Sequence, residues 1–429
     1  MNDGDRRYGM ETRAVHAGAR PDPSTGARQT PIYQTTSFVF DDVEHAASLF
    51  NLQTFGYFYS RLTNPTVAVL EEKIANLEDG RAAVACASGH AAQFLAFFTL
   101  LEPGSHIVAS RYLYGGSVTQ FTKSFARLGW QADLVDPNDP DIVEAAIRDE
   151  TRAIFVEVLA NPGGIVVDLE PLVAIARHHR IPLVVDNTLA TPCLIQPIHW
   201  GADIVIHSAT KFIGGHGTSM GGVVIESGAF DWFASGKFPG MTEPEEAYHG
   251  LTFAETFGDF GFTMKARTVA LRDFGPSLSP ANAFHLITGC ETLPLRVQRH
   301  CDNALEVARH LETHPKVAWV SYAGLESSPW HGLARKYLKN GFGSVFTFGL
   351  KDGFDACTRM VEASGLFSHL ANIGDTRSLV IHPASTTHRQ LTSEQRATAG
   401  AADDTIRLSI GIETVSDLIR DLDEALEEA

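Results

Sequence analysis

Hydrophobic and polar residues follow two different spacings along this chain of 429 residues. After Asn64-Pro65, a pair that favours the start of a helix, Val67, Leu70 and Ile74 recur at helical spacing. From there to about residue 230, short runs rich in Val and Ile alternate with helical stretches. The predicted strands are Ala82–Cys86, His106–Ala109, Ala132–Val135, Ala153–Val158, Leu183–Asp186, Asp203–His207 and Gly222–Glu226, and the predicted helices are Ala91–Leu101, Gly116–Leu128 and Leu169–His179. This alternation indicates an α/β fold with a mostly parallel, doubly wound sheet.

The rest of the chain has a less regular pattern. Residues 1–63 are predicted to form an N-terminal arm with one short helix near Val43–Phe50, and residues 231–261 a connection or surface loop. Residues 64–265 are interpreted as the large α/β domain and residues 266–429 as a smaller C-terminal α+β domain. The smaller domain contains predicted helices at Pro294–His314, Phe354–Ala363 and Thr414–Glu428, and predicted strands at Val345–Phe348 and Thr405–Ser409.

Composition narrows the class of protein. The formal net charge of −17 argues against nucleic acid and anionic membranes as partners and is compatible with small-molecule ligands. No stretch approaches about 18 consecutive apolar residues, and no apolar run follows the first residues, so we expect neither a membrane span nor a signal peptide. The 5 cysteines are scattered and form no C-x-x-C pair, which argues against a disulfide framework and indicates a cytoplasmic protein.

Two strand ends carry the most informative residues. Asp186 ends one apolar strand, and Ser208, Thr210 and Lys211 follow the next strand. In an open α/β sheet, ligands bind beyond the carboxyl ends of the strands. A lysine there can bond covalently to an aldehyde cofactor, an aspartate can pair with a protonated ring nitrogen, and hydroxyls can bind a phosphate. The alternative for each residue alone is a solvent-facing lysine and a structural aspartate.

Further candidates follow other strand ends. Ser88-Gly89-His90 opens a helix whose free N–H groups suit an anion, although Ser88 can also be an ordinary helix cap. Tyr114 can stack on a flat ring or pack on the rim of the sheet. Asn161 can place its amide near a ring oxygen, or it can belong to a turn with Pro162.

Two arginines and a pair of histidines leave alternatives open. Arg61 offers a planar fork suited to phosphate but can equally be a surface residue. Arg407 lies on a short apolar strand, so it needs a partner if it is buried, either a ligand carboxylate or an internal aspartate. His178-His179 has no cysteine or carboxylate nearby at ligand spacing, so we predict no metal site.

Together these segments make the chain similar to the Cys/Met-metabolism family of enzymes that depend on pyridoxal 5′-phosphate (PLP). The resemblance rests on Ser208–Lys211 with Asp186, on Ser88-Gly89, on Tyr114-Gly115-Gly116 and on Tyr59-x-Arg61, and it runs from about residue 12 to residue 429. It implies PLP as the cofactor and the fold of aspartate aminotransferase, known as fold type I. It also implies a homo-oligomer, at least a dimer and usually a homotetramer that is a dimer of dimers.

The resemblance implies a role for each matching residue. Lys211 corresponds to the lysine that carries the cofactor, Asp186 to the partner of the ring nitrogen, and Tyr114 to the stacking tyrosine that aids proton transfer. Gly89, His90, Ser208 and Thr210, beside Ser88, correspond to phosphate-binding positions, and Asn161 to the asparagine near the phenolic oxygen. Tyr59 and Arg61 correspond to residues that reach the phosphate of the adjacent subunit. Arg407 corresponds to the arginine that binds the substrate carboxylate, with Asn372, Tyr114 and Tyr59 also on the substrate side.

Within the family, the segments at residues 248–251, 275–280 and 382–388 are similar to those of the O-acetylhomoserine sulfhydrylases. This likeness implies replacement of the acetyl ester on Cγ of O-acetyl-L-homoserine by sulfide or methanethiol, which gives L-homocysteine or methionine and acetate in methionine biosynthesis. O-succinylhomoserine sulfhydrylase, cystathionine γ-synthase and γ-lyase remain alternatives on the same scaffold. His90 departs from the subgroup, in which glutamine is more common at that position.

Overall fold

The computed structural model describes residues 6–161, 164–386, 389, 400 and 402–429. Pro162, Thr387 and His388, which belong to segments discussed above, lie outside the described residues. None of the helices in the described part of the chain combines the length and the apolar composition that a bilayer span needs.

A seven-stranded sheet forms the centre of the molecule. Its strands are β1 (Ala82–Cys86), β2 (His106–Ser110), β3 (Gln131–Val135), β4 (Thr151–Glu157), β5 (Leu183–Asp186), β6 (Ile204–His207) and β7 (Gly222–Glu226). They lie in the order β1-β7-β6-β5-β4-β2-β3. Strand β7 is antiparallel to β1 and β6, and the other neighbours are parallel. The predicted mostly parallel sheet is therefore confirmed. Its inner strands β5, β6 and β7 are fully buried because helices cover both faces.

Helices precede, connect and follow the strands. The α-helices are Met10–His16, Val43–Phe50, Pro65–Leu77, Gly89–Leu100, Gly115–Thr119, Pro140–Ala146, Leu169–His179, Thr191–Leu194, Trp232–Ser235, Pro239–Thr242, Phe253–Phe257, Gly261–Lys265, Arg272–Phe274, Pro280–Glu291, Leu293–Thr313, His331–Tyr337, Gly353–Ala363 and Val415–Glu427. Asn64 caps its helix as predicted, since its side chain accepts a hydrogen bond from the N–H of Thr66 at 3.0 Å.

The helix predicted at Gly116–Leu128 is not continuous. The α-helical turn Gly115–Thr119 passes into a π-helical segment, Gln120–Ser124, and then into a 3₁₀ segment, Phe125–Leu128. The wider π turn changes the direction of the following side chains, and Phe121 and Phe125 both pack on Phe97, with ring centroids 5.1 and 5.9 Å away. The helix is thus interrupted where these aromatic rings pack together, and the helical spacing alone does not predict that interruption.

The segment at residues 231–261 differs from the predicted surface loop. It forms several short helices whose aromatic side chains are buried against the sheet, including Trp232, Phe238 and Phe253. Trp232 stacks on Phe262, with centroids 5.9 Å apart and nearly parallel ring planes. The irregular sequence pattern arises because these helices are too short to show a period, while their rings still fill the core.

A second sheet of five strands forms the smaller C-terminal unit. Its strands, in chain order, are β8 (Val317–Ser321), β9 (Val345–Leu350), β10 (Ser368–His369), β11 (Leu379–Ile381) and β12 (Thr405–Ser409), and their spatial order is β10-β11-β12-β9-β8. Helices Leu293–Thr313, Gly353–Ala363 and Val415–Glu427 pack with this sheet around one apolar cluster. The predicted α+β character is confirmed. The boundary near residue 265 stays a prediction, because Pro280–Glu291 still packs against Pro65–Leu77.

The topology brings three strand ends together at one edge of the large sheet. Strands β4, β5 and β6 are parallel neighbours, so their carboxyl ends lie side by side. Glu157 at the end of β4 pairs in register with Asp186 at the end of β5. The chain that leaves β6 continues directly to Lys211, while β12 and the segment before β11 approach the same edge from the smaller unit.

Candidate active site

A cavity of about 380 Å³ lies at this edge, between the two units. That volume is within the range of pockets that bind small organic ligands. Its lining includes eleven of the predicted site residues, namely Ser88, Gly89, His90, Tyr114, Asn161, Asp186, Ser208, Thr210, Lys211, Asn372 and Arg407. Residues far apart in sequence therefore converge on one space, as expected at the carboxyl ends of parallel strands.

Lys211 presents its amine inside the cavity. Its Nζ donates a hydrogen bond to Oδ1 of Asn372 at 2.5 Å. Burial and, to a smaller extent, the positive charge of Arg407 lower the pKa of Lys211 to about 8. A substantial fraction of the amine is therefore neutral near neutral pH, which is the form that attacks a carbonyl or accepts a proton.

Asp186 is a buried carboxyl at the end of β5. Its Oδ1 accepts the backbone N–H of Thr188 at 2.9 Å, and the side chains of Thr188 and Gln93 also donate to it. Burial raises the pKa of Asp186, whereas these hydrogen bonds oppose the rise because they stabilise the ionised form. A carboxylate held in this way can stabilise a cationic ring nitrogen in the cavity.

The start of helix Gly89–Leu100 forms a cradle for an anion. The first N–H groups of a helix have no partner within it, and its dipole favours negative charge there. A Cβ added to Gly89 would lie 2.6 Å from Cβ of Ser208, so only glycine permits this approach of two strand ends. Ser88 acts as the helix cap, since its Oγ accepts the N–H of Ala91 at 3.2 Å. The hydroxyl of Thr210 is bonded to the backbone of Gly221.

Tyr114 and His90 form an aromatic wall of the cavity. Their ring centroids are 5.7 Å apart, with planes inclined by 34°. Gly116 allows this arrangement, because a Cβ there would lie 2.5 Å from the Tyr114 ring and 2.7 Å from the His90 ring. His90, which the resemblance assigns to a phosphate-binding position, thus lines the cavity beside Tyr114.

Arg407 faces the cavity from β12 and is 8% exposed. It donates to Oδ1 of Asn161 and to the backbone oxygen of Asn372, both at 3.2 Å. Both partners are neutral, and no described aspartate or glutamate forms a salt bridge with Arg407. Burial lowers its pKa to about 10. Among the described residues, no internal aspartate balances the charge of Arg407. Its predicted partner, a substrate carboxylate, stays a prediction.

Two predicted cofactor contacts lie elsewhere. Tyr59 and Arg61 belong to the N-terminal arm and do not line the cavity of their own chain. The Arg61 guanidinium lies over the Tyr59 ring, 5.3 Å from its centroid, and Tyr59 is 42% exposed. Their predicted contact with the phosphate of an adjacent subunit stays a prediction.

The surroundings of His178 and His179 differ from the prediction that no carboxylate lies near them. Glu144, on helix Pro140–Ala146, places Oε1 2.6 Å from Nε2 of His179. Ligand atoms of Glu144, His178 and His179 all lie within 4.8 Å of one another. A carboxylate is thus near the histidines, brought there by a different helix, and sequence spacing could not reveal it. Within this cluster, His179 is hydrogen-bonded to Glu144. The predicted absence of a bound metal stays a prediction.

The lining also includes polar residues that the sequence did not single out as site residues, among them Gln93, Glu157 and Thr188. Glu157 carried the same signal as Asp186, because both are carboxyls at the end of an apolar strand. The predicted strand ran past Glu157 to Val158, which hid that signal. Gln93 and Thr188 had no distinctive signal in the sequence.

The residues of the cavity fit pyridoxal phosphate in four respects. Lys211 offers a partly neutral amine, Asp186 a buried carboxyl, the helix that begins at Gly89 a cradle for the phosphate, and Tyr114 a ring for stacking. Arg407 remains available for a second anionic group, as an amino-acid substrate requires.

Comparisons with known proteins agree with this fit. The family described as Cys/Met metabolism PLP-dependent enzymes matches residues 11–427. The O-acetyl-L-homoserine sulfhydrylase of Leptospira meyeri is 48% identical, over 98% of this chain and 97% of that protein. O-acetyl-L-homoserine sulfhydrylase 1 of Thermus thermophilus is 48% identical, over 97% of this chain and 99% of that protein.

A solved structure extends the likeness to three dimensions. A candidate O-acetylhomoserine (thiol)-lyase from Campylobacter jejuni superimposes with a TM-score of 0.95 at 39% identity, covering 98% of this chain and 100% of that chain. The Campylobacter protein carries N′-pyridoxyl-lysine-5′-monophosphate. Fold type I and dependence on PLP, both predicted from the sequence, are thereby confirmed. The chain belongs to the Cys/Met metabolism family of PLP-dependent enzymes.

Proposed function

We propose that the protein replaces the acetate on Cγ of O-acetyl-L-homoserine by sulfide or methanethiol. The C–O bond at Cγ breaks, a C–S bond forms at the same carbon, and the products are acetate with L-homocysteine or methionine. The observation that carries the proposal is that one cavity holds a reactive amine, Lys211, and a guanidinium, Arg407, that no carboxylate of the described residues compensates. Both are hydrogen-bonded to Asn372. The likeness to relatives named as sulfhydrylases supports the choice of substrate.

Each side chain would have a separate task. When bound, PLP supplies an electron sink for the electron pair left at the substrate Cα. The Lys211 amine would bind the cofactor and, once released, take the proton from Cα. Asp186 would hold a proton on the ring nitrogen, Tyr114 would stack on the ring, and Arg407 would bind the substrate carboxylate with its charged fork.

A substrate panel on the purified protein tests this proposal. With O-acetylhomoserine and sulfide we expect homocysteine and acetate in equal amounts, detected directly by mass spectrometry. O-succinylhomoserine, O-acetylhomoserine with cysteine, and cystathionine or methionine alone serve as matched alternatives. Faster turnover of the succinyl ester, release of cystathionine, or release of 2-oxobutyrate from cystathionine or methionine would instead support one of the related activities.

We also propose that the protein is a cytoplasmic homotetramer formed as a dimer of dimers. The arm at residues 32–59 exposes large apolar side chains, including Val39, Phe50 and Phe55, as a subunit contact would require. The 5 free cysteines fit a reducing compartment. Light scattering after gel filtration should give the mass of four chains, and a monomer at micromolar concentration would contradict the proposed assembly.

A further inference from the structure

Glu157 is a second buried carboxyl in the candidate site. It ends β4, pairs in register with Asp186 on the adjacent parallel strand, and is only 4% exposed. In-register residues of neighbouring strands point to the same side of a sheet, so the two carboxyls approach one cavity together. None of the roles assigned above to the site residues uses Glu157.

The hydrogen bonds of Glu157 join two loops that carry predicted cofactor contacts. Its Oε1 accepts the backbone N–H of Tyr114 at 2.7 Å. The backbone N–H of Asn161 also donates to this carboxyl. A single side chain therefore fixes the start of the Tyr114 loop and the start of the Asn161 loop, which leave different strands.

The other oxygen of Glu157 bears on its protonation state. Oε2 is buried and has no hydrogen-bond partner among the described residues, although the residue lines the cavity. An ionised carboxylate oxygen without a donor would be costly at this depth. A protonated Oε2, in contrast, carries no charge and is itself a hydrogen-bond donor.

The surrounding charges favour the same state. Burial raises the pKa of Glu157 well above its usual value, and the charge of Asp186 raises it further. Two adjacent carboxyls in a desolvated site do not both ionise readily. Asp186 receives additional donors from Thr188 and Gln93, which stabilise its ionised form. The other titratable groups lining this cavity are His90, Tyr114, Lys211 and Arg407.

We propose that Glu157 is a positioning residue of the cofactor site, which holds Tyr114 and Asn161 in place as a neutral acid and leaves the negative charge of the pair on Asp186. The inference deepens the proposed PLP site and rests on it. Glutamine at position 157 is neutral and keeps an oxygen that can accept the N–H of Tyr114, whereas leucine removes the acceptor.

Titration of full-length variants with PLP tests the role. For Glu157→Gln we expect the Kd for PLP to stay within about threefold of wild type and the visible circular dichroism of the bound cofactor to be retained. For Glu157→Leu we expect a Kd at least about tenfold higher and an altered dichroism, because Tyr114 and Asn161 lose their anchor.

Glu226 provides a matched control. It is also a 4% exposed carboxyl at the end of a strand of this sheet, and its Oε1 accepts the N–H of Thr263 at 2.8 Å. Strand β7 is antiparallel to β6, so Glu226 lies at the opposite edge. Glu226→Leu should lower thermal stability without changing the Kd for PLP or the cofactor dichroism.

Several outcomes would overturn the inference. If Glu157→Leu binds PLP with the same Kd as wild type and the bound cofactor gives the same visible circular dichroism, the positioning role is excluded. If the Kd for PLP rises as much in Glu157→Gln as in Glu157→Leu, Glu157 does not act as a neutral acid. Should Glu157→Leu not fold, infrared difference spectra of wild type and Glu157→Gln must show the carbonyl stretch of a neutral carboxylic acid at neutral pH, and its absence also counts against the proposal. If the wild-type protein binds no PLP, the proposed function itself is refuted.

Discussion

Replacement of Lys211 by alanine is expected to remove covalent attachment of PLP and to lower kcat/KM for O-acetylhomoserine at least about 10²–10⁴-fold, the range that a positioned general base contributes. The reason is that the Lys211 amine lies inside the cavity, 2.5 Å from Oδ1 of Asn372, and would both carry the cofactor and move the Cα proton. Borohydride reduction followed by peptide mass mapping should place the pyridoxyl group on Lys211 in wild type, and on no lysine of the variant.

The pH dependence of attachment provides a second readout for Lys211. Burial lowers its pKa to about 8, and only the neutral amine attacks an aldehyde. The rate at which PLP attaches to the cofactor-free protein should therefore rise with pH and level off above about 8. Lys265→Ala is the matched control, because Lys265 is a buried lysine with a lowered pKa outside the cavity. Turnover retained in Lys211→Ala with cofactor bound would refute the assigned role.

Replacement of Arg407 by leucine is expected to weaken binding of the amino-acid substrate. Loss of charge-assisted hydrogen bonds to the carboxylate costs about 1.5–3 kcal/mol, or roughly ten- to hundredfold in kcat/KM, mostly as a higher KM. Attachment of PLP to Lys211 should persist, because Arg407 is not itself a predicted cofactor contact and reaches that set only through its hydrogen bond to Asn161. Steady-state kinetics on O-acetylhomoserine, together with a PLP titration, measure both effects.

The free energy of unfolding distinguishes substrate binding by Arg407 from a structural role of the same residue. Arg407 is buried, and its hydrogen-bond partners within the described part of the chain, Asn161 and Asn372, are neutral, so its charge is costly in the ligand-free protein. The free energy of unfolding of Arg407→Leu should therefore equal or exceed that of wild type, in contrast to Arg13→Leu. Arg13 is an equally buried arginine that forms a salt bridge with Asp79, and its loss should destabilise the protein. An unchanged KM for Arg407→Leu would contradict the carboxylate assignment.

Local spacing was sufficient for the large sheet and for the strand ends that carry Asp186 and Lys211. Buried strands read as Val- and Ile-rich runs, and residues directly after them must lie at one edge of a parallel sheet. The short strands β10 and β11 and the half-exposed β8 were not predicted. Two or three residues are too few to show a period, and Trp319 on β8 is partly exposed at the edge of its sheet.

The sequence by itself determined the α/β fold, because buried strands and amphipathic helices show their period locally. It indicated the cofactor, and the lysine and aspartate proposed to bind it, through the resemblance of its motifs to a known family. Only the tertiary structure decided what surrounds them. Arg407 meets Asn161 across a separation of 246 positions, and Glu157 joins the Tyr114 loop to the end of β4 across 43. Contacts between distant segments depend on how sheets and helices pack, and the spacing of residues along one segment carries no record of that packing.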